Sequence, residues 1–306
     1  QQIPLGHPCD RPAGSRSKVK FPEVQVVILS ISFFILLKPS LLLTTEKQLV
    51  GVFGASGRTG VHIIEELKQR DVDIRAFSRR AKENSDNVNW AVADVTSEES
   101  LTEALKDVDI IISAIGPVGG DNSENVDYLG TINIVAAAKK NGVKQIIYMS
   151  SIGAGGAENI STVMLNLLAN KTMKWKALAE DQIRKSGIDF TIVRPGGLIG
   201  DPAIQGIQFS QGDNVLGWIP REDVAAVLVE SIFKDGAKNK TFEVINNDSL
   251  AVDAWRNEFD SLELNNYGVI ATGELPTRYW LTPLLVLIGI IYLIKRRRAR
   301  KLNNSV

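Results

Sequence analysis

The stretch Leu49-Val-Gly-Val-Phe-Gly-Ala-Ser-Gly-Arg-Thr-Gly60 decides the fold of this chain. A short apolar run leads into glycines spaced three residues apart, and apolar residues at the spacing of one helix face follow. Strand, glycine turn and helix together suit a dinucleotide pyrophosphate, because glycine lets backbone N–H groups approach the phosphates and the positive end of the helix faces them. We therefore predict that a dinucleotide cofactor contacts Gly54, Ala55, Ser56, Gly57, Arg58, Thr59 and Gly60.

From this turn onward, apolar strands alternate with amphipathic helices. The alternation predicts an α/β fold, a Rossmann-like doubly wound parallel sheet with right-handed crossovers, in one domain over residues 48–262. The glycine- and proline-rich residues 198–220 are interpreted as a loop that could cover a site. Further strands are predicted at 73–78, 88–93, 109–114, 144–150, 189–194 and 241–245, and helices at about 125–140, 163–185 and 222–233.

Several later segments carry a resemblance to a known family. They are Asp94-Val-Thr96, Ile112-Ser-Ala-Ile-Gly116, Tyr148-Met-Ser-Ser151 and Thr191-Ile-Val-Arg-Pro-Gly-Gly197. With the glycine turn, they resemble the atypical and extended short-chain dehydrogenase/reductases, in particular the NAD(P)-binding, NmrA-like branch that includes plastid Tic62-type proteins. The resemblance covers about residues 48–260 and neither end of the chain.

Composition excludes several classes of site. The 306 residues include 35 basic and 35 acidic side chains, and this balance gives no general case for a nucleic-acid partner. Cys9 is the only cysteine, which excludes an intrachain disulfide and a cysteine zinc site. His7 and His62 are the only histidines, so a histidine-based metal site or a Ser-His-Asp triad would have to use one of them. We predict no metal site.

The two ends of the chain differ from the domain between them. Residues 1–23 are predicted to be a disordered basic leader, and residues 24–43 form an apolar segment typical of targeting or membrane contact. Residues 279–294 carry no charge and precede a basic tail at 295–306, which predicts a transmembrane helix and a membrane as partner. Whether 24–43 is cleaved, the side of the membrane and the compartment, plastid or endomembrane, stay open.

The residues after the second strand bear on the choice of cofactor. Ser78, Arg79 and Arg80 stand where NAD enzymes typically place an acidic residue for the ribose 2′-hydroxyl. An arginine at this point accommodates a 2′-phosphate, and Arg58 could add a second charge. The sequence therefore favours NADP(H) over NAD(H), and the alternative is a solvated arginine pair at a strand end.

The resemblance implies further cofactor contacts. It places Asp94 beside the adenine and the turn of Ala114, Ile115 and Gly116 beside the ribose and nicotinamide. It also places Pro195 and Gly196 at the nicotinamide end.

Reductases of this superfamily use a serine, together with a tyrosine that stands four residues before a lysine. The resemblance makes Ser150, Ser151 and Lys176 the candidate catalytic residues, and Lys176 also a ribose contact. Four residues before Lys176 stands Thr172, whose hydroxyl is too weak an acid to replace a phenol.

Two functions therefore remain open. One is a membrane-anchored NADP(H)-binding oxidoreductase with a small-molecule substrate. The other is a non-catalytic NADP(H)-binding sensor or assembly protein with a protein partner.

Overall fold

The computed structural model describes residues 47–85, 87–155, 166, 171–200, 202–203, 206–264, 283 and 285–293. The predictions for residues 1–23, 24–43 and 295–306 lie outside these ranges.

An eight-stranded sheet forms the centre of the domain, with strand order β3-β2-β1-β4-β5-β6-β10-β8. Every neighbouring pair is parallel except β10 with β8, which is antiparallel at one edge. The chain runs outward from β1 to β3 and then returns to β4, so the order reverses between β1 and β4. The strands are β1 Leu49–Phe53, β2 Asp73–Ser78, β3 Val88–Val92, β4 Ile110–Ser113, β5 Gln145–Met149, β6 Asp189–Pro195, β7 Gly197–Ile199, β8 Ile207–Ser210, β9 Trp218–Pro220 and β10 Lys240–Asn246.

Helices cover both faces of this sheet, which confirms the predicted Rossmann-like architecture. One apolar core packs against α1 and α5, and a second core packs against α2, α3 and α4. Strands β4 and β5 are buried along their whole length, as expected of central strands covered on both faces. The α-helices are α1 Gly60–Lys68, α2 Glu98–Ala104, α3 Gly130–Asn141, α4 Thr172–Arg184 and α5 Arg221–Glu230.

The helix predicted at 125–140 begins differently from the prediction. Its first part, Glu124–Leu129, is a π-helix that continues into α3 at Gly130. A side chain at Gly130 would meet Val95 Cγ2 at 2.9 Å, so the helix start is pressed closely against the loop after β3. Of the helix predicted at 163–185, α4 is described from Thr172 onward.

Residues 198–220 are not the single covering loop that the glycine and proline content indicated. They contain most of β7, all of β8 and all of β9. Strand β8 extends the main sheet, and β7 pairs with β9 in a separate two-stranded sheet. Backbone pairing between distant residues produces these short strands, and their few side chains show no period that would reveal them.

No helix within the described ranges is both long and apolar enough to cross a bilayer. Residues 285–293 of the predicted transmembrane segment are helical, and apart from residue 283 the remainder of that segment lies outside the description.

Candidate functional site

The glycine turn after β1 is packed so closely that its backbone leaves no room for side chains at two positions. Gly54 has φ +78°, and a Cβ there would lie 2.5 Å from the Ala114 carbonyl oxygen. A Cβ on Gly60 would lie 2.0 Å from the Gly54 carbonyl oxygen. The Gly57 N–H donates to that same oxygen at 2.8 Å and closes the turn. Helix α1 therefore starts directly against the end of β1.

The turn presents its middle residues to solvent. Ala55 and Thr59 are buried, whereas Ser56, Gly57 and Arg58 are exposed. The first N–H groups of a helix have no partner within the helix, so this exposed rim at the start of α1 suits an anion. It lies where the strand order reverses between β1 and β4, the usual ligand position in open α/β sheets.

The arginines after β2 lie at the same edge. Arg79 is 59% exposed in its side chain and pairs with Asp121 at 3.1 Å. The Ser78 hydroxyl accepts a hydrogen bond from the Arg80 N–H at 3.3 Å and shapes this turn. An exposed guanidinium that already holds a carboxylate has the geometry to hold a phosphate in its place.

Arg58 has a cationic neighbour that the sequence did not indicate. Burial lowers the pKa of Arg221, the first residue of α5, and the positive charge of Arg58 lowers it further. The Arg221 guanidinium also donates to the Ile199 carbonyl at 2.8 Å. The two side chains make the mouth of the glycine turn electropositive from two separate elements.

The other predicted cofactor contacts lie at the ends of β3, β4 and β6. The backbone N–H of Thr96 and then its hydroxyl donate to the Asp94 carboxylate and lower its pKa. The Ala114 N–H donates to the Phe53 carbonyl at 3.0 Å, and Ile115 is buried. Open space surrounds the Cα of Gly116, where an added Cβ would meet nothing within 4 Å.

Lys176 lies in a buried cluster. Its ammonium is 3.2 Å from Asp127 Oδ1, 3.4 Å from the Met149 carbonyl oxygen and 5.4 Å from the centre of the Tyr148 ring. Burial alone would lower the pKa of Lys176, but the negative charge of Asp127 outweighs burial and raises the pKa above its ordinary value. Lys176 is therefore a cation held by a carboxylate, not a base.

The two tyrosines near Lys176 differ in access. Tyr148 is fully buried, and desolvation raises its pKa to about 12 against the opposing charge of Lys176. Its phenol therefore stays protonated and away from solvent. Tyr128 is half-buried and stacks on Trp175 with ring centres 5.8 Å apart. Thr172, at the position of the family tyrosine, has its hydroxyl 2.9 Å from that of Ser123.

The two candidate serines have different surroundings. The Ser150 hydroxyl is buried and donates to Glu180 Oε1 at 2.5 Å, which makes it part of a buried charge network. Ser151 is half-buried, and its hydroxyl donates to the Ile152 carbonyl at 3.0 Å. Of the two hydroxyls, that of Ser151 is therefore the one with access to solvent.

The buried charge network consists of Glu180, Arg194, Arg184 and Glu243. Arg194 donates to both oxygens of Glu180, at 3.0 and 2.6 Å, and to Glu243 at 3.1 Å. Arg184 donates to Glu180 as well. Burial would raise the pKa of Glu180, but the charge and hydrogen bonds of Arg194 and the charge of Arg184 hold it below the ordinary value.

A second carboxylate fixes the loop after β5. Asp213 accepts hydrogen bonds from the Gly153 N–H at 2.7 Å and the Gly155 N–H at 2.8 Å. Burial raises the pKa of Asp213, and these two hydrogen bonds oppose the increase. On the neighbouring strand the Pro195 carbonyl accepts from the Ile152 N–H, and the Gly196 N–H donates to the Val244 carbonyl.

The structure thus brings the candidate residues together at one edge of the sheet, apart from Ser150, whose hydroxyl points into the charge network. Sequence reasoning missed Asp127, Glu180 and Asp213 as partners. One signal was present, because Arg194 interrupts an apolar strand and a charge in such a place requires a buried partner.

The stability of the folded protein should depend on pH through Glu243. Desolvation raises its pKa to about 7, in spite of the charge and hydrogen bond of Arg194. Because the folded pKa lies above the unfolded value, the folded state holds an extra proton between roughly pH 4.5 and 7 and loses stability as pH rises through that range. We expect Glu243→Gln to be more stable than the wild type at pH 8 by about 1–3 kcal/mol and equally stable at pH 4.

Unfolding free energies of both proteins across this pH range measure the difference. A variant that is less stable at pH 8 would show that ionised Glu243 is a net stabilising partner of Arg194.

Comparisons with known proteins agree with this geometry. A family model described as NAD(P)H-binding matches residues 54–235. An uncharacterised chloroplastic protein of Arabidopsis thaliana is 35% identical over a 213-residue alignment that covers 64% of this chain and 76% of that protein. Sanguinarine reductase of Eschscholzia californica is 27% identical over a 251-residue alignment that covers 66% of this chain and 90% of that protein.

Two further comparisons concern the resemblance to Tic62-type proteins and the fold. Protein TIC 62 of Arabidopsis thaliana, also chloroplastic, is 30% identical over a 186-residue alignment that covers 52% of this chain and 29% of that protein. The crystal structure of the oxidoreductase ylbE of Lactococcus lactis shares the fold, with a TM-score of 0.64 and 24% identity over 72% of this chain and 100% of that one. The family model covers more than half of the chain, which therefore belongs to the NAD(P)H-binding family that this model describes, with Tic62-type proteins among its relatives.

Proposed function

We propose that the chain is an NADP(H)-dependent oxidoreductase of the atypical short-chain dehydrogenase/reductase type. The observation that carries the proposal is the glycine turn, in which Gly54 and Gly60 leave the backbone bare at the reversal point of the sheet. Arg79 lies at the end of the adjacent strand β2, and Lys176 lies across the same edge.

The residues present fit a phosphorylated dinucleotide. The exposed rim of Ser56, Gly57 and Arg58 would hold the diphosphate, and Arg79 with Arg80 would hold the 2′-phosphate. Asp94, whose carboxylate is ionised, would contact the adenosine. The open space at Gly116 leaves room for a ribose.

When bound, a reduced nicotinamide supplies a hydride, and reduction of a carbonyl or quinone also takes up one proton. Lys176 is protonated and anchored to Asp127, so it orients the ribose and adds positive charge near the reacting oxygen. Thr172 is too weak an acid to supply the proton, and the Tyr148 phenol is buried with its pKa at about 12. Since neither group can act as a general acid, we assign the proton to solvent, which reaches the site beside the half-buried Ser151 and protonates the product oxygen after the hydride has moved.

Steady-state turnover separates this proposal from a non-catalytic sensor. We expect the wild type to oxidise NADPH in the presence of carbonyl or quinone acceptors. Lys176→Ala should lower kcat at least tenfold, a typical loss for a group that assists proton transfer or stabilises charge. Lys174→Ala is the matched control, since Lys174 lies on the same helix and contacts the Trp175 ring. Tight NADPH binding without any turnover would favour the sensor, which passes cofactor occupancy to a protein partner.

The proposed choice of cofactor is tested at Arg79. Hydrogen bonds to charged groups contribute about 1.5–3 kcal/mol, so Arg79→Ala should weaken NADPH binding roughly tenfold or more and change NADH binding little. Lys82→Ala removes a nearby cation that contacts the Trp90 ring, and serves as control. Fluorescence titration with each nucleotide gives the two dissociation constants, and equal losses for NADPH and NADH would contradict the assignment of the 2′-phosphate.

We further propose that the C-terminal segment tethers the protein to a plastid membrane. A chloroplastic relative supports the compartment, and the basic tail that follows residue 294 would stay on the stromal side. Extraction with alkaline carbonate should leave the full chain in the membrane pellet and release a chain that ends at residue 278. Release of both would contradict the tether. The apolar side chains exposed on the helical residues are Leu285, Val286, Leu287, Ile288, Ile290, Ile291, Tyr292 and Leu293.

A further inference from the structure

Trp218 is an exposed aromatic side chain beside the proposed site. It begins β9 and is 67% exposed, more than any other large hydrophobic residue in the described part of the domain apart from Leu264. Leu216, two residues earlier, is 65% exposed. A large aromatic ring at the surface offers a flat apolar face, and a face of this kind beside a proposed binding site is available to a ligand.

The indole is held in place by its backbone surroundings. A Cβ on Gly197 would lie 2.2 Å from Cε3 and 2.4 Å from Cζ3 of Trp218, so the ring rests directly on the Gly197 backbone. The Gly197 N–H donates to the Gly217 carbonyl at 2.9 Å, and Gly197 and Trp218 are register partners in the two-stranded sheet. One side of the ring thus has a rigid support.

The position of the ring connects it to the proposed site. Gly197 directly follows Pro195 and Gly196 at the carboxyl end of β6, the proposed nicotinamide end. At its other end β9 leads into Arg221, whose pKa responds to Arg58 of the glycine turn. The two-stranded sheet therefore runs along the mouth of the site from the nicotinamide end toward the diphosphate end.

We propose that Trp218 is a stacking platform for a flat, conjugated ring system in the substrate. This proposal rests on the oxidoreductase function proposed above and names the class of its substrate. Within residues 206–220, the exposed large hydrophobic side chains are one indole and one leucine, which match a single ring system. A stable protein interface needs roughly 800 Å² on each partner, far more than these two side chains offer. Stacking of a flat ring on a fixed indole adds affinity without ordering a flexible side chain.

The experiment compares a flat acceptor, 9,10-phenanthrenequinone, with the small acceptor 1,4-benzoquinone on the full chain. In each turnover one hydride from NADPH and one proton from water reduce the quinone to its hydroquinone. Loss of an aromatic stacking partner should weaken the binding of a flat ring by about tenfold. Trp218→Leu should therefore lower the ratio of kcat/KM for the flat over the small acceptor about tenfold, and Trp218→Phe should stay within roughly threefold of the wild type.

Trp90→Leu, which removes an indole on the distant strand β3, is the matched control and should leave the ratio unchanged. The result that overturns the proposal is an equal ratio for the wild type and Trp218→Leu.

If no acceptor is reduced, the stacking platform is tested by binding alone. Calorimetric titration of phenanthrenequinone into protein saturated with NADP⁺ measures that binding. Binding that weakens about tenfold in Trp218→Leu would support the platform and, without turnover, would refute only the oxidoreductase function. Absence of binding to the wild type, or equal binding to both proteins, would overturn the platform whether or not NADPH is oxidised.

Discussion

The close approach of the Gly60 backbone to the Gly54 carbonyl is the constraint on which the rest of the structure depends. It places the start of α1 against the end of β1, and the turn itself lies against Ala114 at the end of β4. A Cβ at either glycine would have to displace backbone atoms, which cannot move without moving a central strand. The same contact therefore seats the first helix on the sheet and leaves bare backbone for an anion.

The opposite half of the site depends on buried charge. Arg194 on β6 holds Glu180 of α4 and Glu243 of β10, and Glu180 in turn holds Ser150 at the end of β5. Removing charges from water is costly, and hydrogen-bonded guanidinium groups offset that cost fully at Glu180, whose pKa is lowered, and only in part at Glu243, whose pKa is raised to about 7. Asp213 holds the adjoining loop, which follows Ser151, through the backbone N–H groups of Gly153 and Gly155.

The two halves of the proposed site follow the family resemblance to different degrees. The glycine turn, Arg79 and Lys176 have the residue types expected at a nucleotide, and their surroundings suit phosphate and ribose. The proposed substrate side departs from the resemblance at Thr172, which stands at the tyrosine position, and it also carries the exposed ring of Trp218 on Gly197. The proposed cofactor half thus accounts for the resemblance, and the proposed substrate half contains the departure from it.

Local chemistry was enough to predict most of the fold. The bounds of β2 agree with the prediction at both ends, and the long helix predicted to end near residue 140 ends at Asn141, followed by Gly142 as a left-handed cap with φ +68°. Hydrophobic period and turn residues act over a few positions, so one sequence reveals them. Pairings between distant residues left no such pattern, and the strands within 198–220 were therefore missed.

For the site, the sequence alone determined which residue types would meet at the carboxyl edge of the sheet, because parallel strands bring their ends together. Only the tertiary structure decided their partners and access. It paired Lys176 with Asp127, 49 residues earlier, turned Ser150 inward to Glu180 and set Arg58 near Arg221. The physical reason is that the pKa and exposure of a side chain depend on neighbours that the fold brings together from far along the chain.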